Sequence, residues 1–200
     1  MSGEKTSRGG IFPLLVGFIL VTWSLEIVDL IPGINLDAYG IRPRTFEGLW
    51  GIFTAPFLHG GFDHLISNTL SFCIFGVILM FTQRSAARFI SLSVFIALIA
   101  GLAVWGVGAT NSNHIGASAV IFGYFGFLVF DGVFRRELKE ILAALIVGIG
   151  YGSLIFGVLP GQPGISWEGH LFGFLSGIFA AYVFSRMDKK AEQRSLSQFR

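Results

Sequence analysis

A single cysteine, Cys73, stands among the 200 residues, which excludes an internal disulfide framework and any thiolate metal cluster. Set inside an apolar run, it reads as a small buried apolar residue. Charge is scarce too. Asp, Glu, Lys and Arg make up 13% of the chain and the formal net charge is +2, too little to bind nucleic acid, and the basic residues gather at the ends of apolar runs instead of forming a stripe. There is no internal repeat, low-complexity segment or second domain. What is abundant is apolar: 53% of the residues are hydrophobic, with 22 Phe and 27 Gly, and the mean hydropathy is +0.71. A bilayer is the solvent such a composition fits, with Phe for lipid-facing surface and Gly for helices that approach closely.

Six apolar runs are near the roughly 20 residues needed to cross a hydrocarbon core: Ile11 to Ile31, His64 to Phe81, Phe89 to Val107, Ile115 to Phe134, Ile141 to Leu159 and Trp167 to Phe184. No small-residue cleavage pattern follows the first, so it is expected to be retained as a span. Lys5 and Arg8, Arg84 and Arg88, Arg135, Arg136 and Lys139, and Arg186, Lys189, Lys190, Arg194 and Arg200 all fall on one side of such a layout, with Arg42 and Arg44 on the other. The positive-inside rule then places both termini in the cytoplasm. The expected fold is an all-α, polytopic six-helix bundle in a cell membrane, bacterial inner or plasma. Residues 1–10 form a cytoplasmic segment, 11–185 the membrane domain and 186–200 a solvated cytoplasmic tail. Residues 32–58, carrying Trp50, Phe53 and Phe57, are too apolar for a free loop and too interrupted to span, so they are expected to lie partly in the outer leaflet.

In this topology runs two, four and six all travel inward, and their first turns carry the polar residues. His64 and Asn68 open the second, Ser118 the fourth and His170 the sixth, with His59 and His114 just before the second and fourth. Ionisable residues gathered at one membrane depth point to a functional site. A lone serine in a membrane helix often bonds its own i−4 carbonyl, and a lone histidine is often structural. Gly116, Gly123 and Gly126 flank Ser118, however, and allow another helix to approach closely, and Gly173 and Gly177 share the face of His170, so the imidazole points into a tight helix contact. A hydroxyl beside an imidazole suits nucleophilic catalysis, because the imidazole can take the proton that makes serine a poor nucleophile. His64 and Asn68, four apart on one helix face, could donate to a developing oxyanion together with the Ser118 backbone, or could bond between helices. No carboxylate third member is evident. Asp131 lies about 20 Å deeper than Ser118 and suits a salt link to Arg135 at i+4; Glu168 faces away from His170; Glu26 and Asp29 stay open on spacing alone.

His59-Gly-Gly-Phe-Asp-His64-Leu-Ile-Ser-Asn68, Gly116-Ala-Ser118 and His170-Leu-Phe-Gly173-Phe-Leu-Ser-Gly177 together resemble the motifs of rhomboid intramembrane serine proteases, over residues 11 to 185. The resemblance implies a Ser118–His170 dyad, an oxyanion site of His64, Asn68 and the Ser118 backbone, and Phe122 as the ring on which the histidine packs. Gly116, Gly173 and His59 would support it. Membrane-embedded protein substrates in the lipid bilayer are the implied partners, with no cofactor, no metal and no nucleic acid. Two positions depart from the family: Ala119 where Gly usually follows the nucleophile, and Trp50-Gly51 where a Trp-Arg pair is usual. Two alternatives stand beside the protease: a rhomboid-like pseudoenzyme that binds transmembrane clients, and a metal-binding membrane protein using His59, His64, His114 and His170.

Overall fold

A computed structural model describes residues 10–83, 85–161 and 164–197. The expectations resting on Lys5, Arg8, Arg84 and Arg200 lie outside the described residues. Seven helices follow in order: α1 Ile11–Asp29, α2 Phe46–Thr54, α3 Phe62–Thr82, α4 Ala86–Val107, α5 Ser118–Arg135, α6 Leu138–Tyr151 and α7 Trp167–Ser197. All but α2 are long and apolar enough to cross a membrane, α6 with the 3-10 turns of Gly152–Val158 that continue it. Among the described residues there is no strand, only one isolated bridge between Ile41 and His114.

The starts of α4, α2 and α5 follow from local chemistry. Ser85 caps α4 by accepting from the Arg88 amide at 3.2 Å, and Thr45 caps α2 by accepting from Gly48 at 3.0 Å, each satisfying a donor without an intrahelical partner. Gly116 has φ +105°, a left-handed conformation that β-carbon-bearing residues avoid. It interrupts the fourth run, so α5 starts at Ser118 and not at Ile115, and Ser118 occupies the first position of its helix.

α5 is the centre of the bundle. Ile121 to Leu128 are buried without a break, and α5 packs chiefly on α7. Lipid is as apolar as leucine, so helix association in a bilayer rests on packing and hydrogen bonds, and glycine provides the packing here. A β-carbon on Gly173 would run into the Ala119 carbonyl oxygen, and one on Gly177 into that of Gly123. Tyr124 and Ser93 join α5 to α4 by a 2.6 Å hydrogen bond. α1 and α6 turn residues such as Leu20 and Ile149 outward, as lipid-facing helices do.

At the far end of the bundle from the Ser118 turn, Arg135 pairs with Asp131 at 2.6 Å and with Asp188. Asp188 also takes Arg88 at 2.8 Å. The Asp131–Arg135 link expected from i+4 spacing is present, and α4, α5 and α7 are tied together there.

Two segments hold helix that the sequence left unread, and one expectation changes. The connection after α1 contains a helix, α2, whose Gly48 and Gly51 lie against the carbonyls of Arg42 and Gly40; glycines that read as interruptions are contact points. The polar tail is helical, since α7 continues to Ser197 with an exposed surface beyond Arg186. Cys73 is half-buried and not fully buried.

Candidate active site

The first turns of α3, α5 and α7 converge on one cavity of ≈ 910 Å³, whose wall includes His64, Asn68, Ser118, Phe122, Gly157 and His170. Ser118 reaches it from the N-terminus of α5. The amide groups of that first turn have no intrahelical acceptor, and the helix dipole places partial positive charge there. An oxygen developing negative charge beside Ser118 would therefore meet backbone donors.

His170 is held on two sides. Its ring stacks on Phe122 with centroids 4.0 Å apart and planes 11° apart. Its Nδ1 lies 3.0 Å from the Gly157 carbonyl oxygen, and because a carbonyl can only accept, Nδ1 carries the proton. Nε2 is then left with its lone pair, the form a general base needs. Gly157 must be small, since a β-carbon there would lie 2.8 Å from Phe122 Cζ and 3.4 Å from His170 Nδ1. Among the described residues no hydrogen bond joins Ser118 to His170; catalytic contacts in substrate-free sites are often long and tighten in the substrate complex.

On the opposite wall, α3 supplies His64 and Asn68. The lead-in to α5 lies against them: a β-carbon on Gly116 would stand 2.6 Å from His64 Cε1 and 3.4 Å from Asn68 Nδ2. Asn68 is 7% exposed and its Nδ2 has no partner among the described residues, so a buried donor stands ready beside the serine. A buried donor without an acceptor costs free energy, which a passing oxyanion would recover. His59 stands behind, edge-on to His64 with centroids 5.1 Å apart. It is buried with neither ring nitrogen bonded among the described residues. Burial first, and the neighbouring His64 second, lower its pKa to about 4, so it stays neutral.

Among the described residues no carboxylate is hydrogen-bonded to His170. Asp131 is at the far end of α5 with Arg135, and Asp29 accepts the Leu36 amide. Glu168, expected on the side of α7 away from His170, also lines the cavity. The carbonyl of Gly157 takes the orienting position instead.

Residues 47–187 match the rhomboid domain family. The chain belongs to the rhomboid family. It is 37% identical over 185 residues to an uncharacterized protein of Mycobacterium tuberculosis, covering 88% of this chain and 76% of that protein. A Mycobacterium leprae protein, also uncharacterized, is 34% identical over 184 residues, covering 88% and 72%. Rhomboid protease GluP of Bacillus subtilis is 26% identical over 156 residues, covering 74% of this chain and 29% of GluP. With six apolar spans, this rhomboid is a multi-pass membrane protein.

Both departures from the family pattern are accommodated. Ala119 lies within α5, and Arg44 and Arg136 are the non-glycine residues with positive φ among those described, so position 119 makes no demand for glycine. In the segment between α1 and α3 Arg44 does the anchoring. Its guanidinium donates to the Gly106 carbonyl at 3.0 Å and to Thr110 Oγ1 at 2.6 Å. Among the described residues no group of three or more His, Cys, Asp and Glu could hold a metal ion. Sequence reasoning missed Gly157, Arg44 and the serines that bind His114. Each acts through an irregular contact, most of them distant in sequence, which leaves no periodic trace.

Proposed function

We propose that the chain is an intramembrane serine endopeptidase that cleaves transmembrane segments of other membrane proteins near the extracytoplasmic face. Ser118 attacks the scissile carbonyl, His170 Nε2 takes its proton and later returns it to the leaving amine, and water releases the acyl-enzyme. The developing oxyanion is met by Asn68 Nδ2, His64 and the backbone at Ser118. The domain spans 11–185, the loop of 32–58 rests partly in the outer leaflet, and both termini face the cytoplasm. The observation that carries this reading is the shared cavity, in which a helix-opening serine, a histidine with Nδ1 occupied and an unpaired buried amide face one another.

Ser118→Ala and His170→Ala should each abolish cleavage of a transmembrane substrate by purified protein, and the double variant should be hardly slower than either, since members of one catalytic unit are non-additive. A fluorophosphonate reagent should label Ser118 in the wild type and fail in His170→Ala, while chelators leave cleavage intact. Undiminished cleavage by folded Ser118→Ala would remove the serine mechanism. A folded wild type that binds transmembrane clients and never cuts them would leave a pseudoenzyme.

A further inference from the structure

His114 takes no part in that chemistry, yet it sits at the junction of three segments. Its backbone pairs with Ile41 of the outer loop, with both N–H···O distances 2.9 Å. Its Nε2 lies 2.7 Å from Ser112 Oγ and its Nδ1 lies 2.6 Å from Ser166 Oγ. The ring is buried, with His114 8% exposed.

One assignment of the protons satisfies every partner. Ser112 Oγ gives its hydrogen to the Ala109 carbonyl at 2.6 Å, so toward His114 it can only accept, and Nε2 carries the ring proton. Nδ1 of the neutral ring then accepts the hydroxyl hydrogen of Ser166. Ser166 Oγ in turn accepts the Gly169 amide at 3.1 Å, capping the first turn of α7. Every group in the chain from Ala109 to Gly169 has its partner with the right polarity. Burial lowers the His114 pKa while the Glu168 carboxylate opposes the shift, so the ring remains neutral where the network needs it so.

The placement of the two ends matters. His114 is four residues before Ser118, and Ser166 is four residues before His170. We infer that His114 is a positioning residue whose bond to Ser166 ties the segment leading into the nucleophile to the segment leading into the base. The inference rests on the protease reading of Ser118 and His170. α5 and α7 already touch through Gly173, but that contact lies inside the helices. The His114–Ser166 bond sets the spacing at their mouths, where the reacting groups are.

The test uses full-length protein and a transmembrane substrate. His114→Leu keeps bulk and removes both ring nitrogens. It should lower kcat by about a hundredfold, the scale of a misplacement near 1 Å, with KM little changed and the thermal transition retained. His114→Asn, whose amide oxygen can replace Nδ1 as acceptor, should recover at least about a tenth of wild-type kcat if the bond to Ser166 is what matters. Adding Ser166→Ala to His114→Leu should cost little more kcat. A kcat in His114→Leu within about twofold of wild type would overturn the role, as would a rise in KM alone, which marks a substrate contact. If His114→Leu does not fold, ¹⁵N NMR of the wild-type histidines decides: His114 should show the Nε2–H tautomer with Nδ1 accepting, and the Nδ1–H tautomer would refute the network. A wild type that neither cleaves nor labels at Ser118 would sink the protease reading and the positioning role with it; cleavage indifferent to His114 would sink the positioning role alone.

Discussion

Asn68 carries a buried amide hydrogen with nothing to bond to among the described residues, and that deficiency gives the sharpest expectation at the scale of single residues. Asn68→Ala should lower kcat by about a hundredfold to a thousandfold, or roughly 2.7 to 4 kcal/mol, while the protein stays folded. Turnover of a transmembrane substrate in liposomes reads it directly. If Asn68→Ala and His64→Ala combined left turnover unchanged, α3 would have no part in the chemistry. Ser118, His170, His64 and Asn68, which line one cavity, could be singled out in the sequence because each opens an apolar run, a position countable from hydropathy alone. The sequence did not disclose Gly157, thirteen residues from its partner His170, or Ser166, fifty-two from His114. Those bonds join a loop or helix start to a distant segment, and only the folded backbone brings them together.

Elements meet here backbone to backbone, so a single methyl group is a substantial perturbation. Gly173→Ala should force α5 and α7 apart at the Ala119 carbonyl, costing about 1 to 3 kcal/mol as overpacking does. Thermal unfolding in detergent should show the loss, and cleavage should fall further than stability because His170 shifts with its helix. A Gly173→Ala variant as stable and active as wild type would mean that α5 and α7 do not need this contact. All six spans were legible from length and hydropathy. Their ends were less so, because Gly116 stops a helix through its backbone angle while Ile115 before it looks as apolar as any span residue. α2 escaped notice since Gly48 and Gly51 read as breaks in a short run. Only the carbonyls of Arg42 and Gly40 beneath them explain their presence.

For the whole molecule, the expected orientation rests on twelve of the fourteen Lys and Arg residues falling on one side of the spans. A reporter active only after export should be silent when fused behind α7 and active when inserted within Thr110 to His114. The opposite pattern would turn the cavity toward the cytoplasm. Among the described residues α7 is the one element that reaches from the cavity through the Asp188 ion pairs and on past the end of the bundle. Its 31 residues make a rod about 46 Å long at 1.5 Å per residue, with His170 near one tip and the exposed turns from Lys190 to Ser197 at the other. A torque applied to that far tip has a stiff shaft leading to His170, the proposed base, clamped partway by Arg88 and Arg135 as by a bearing.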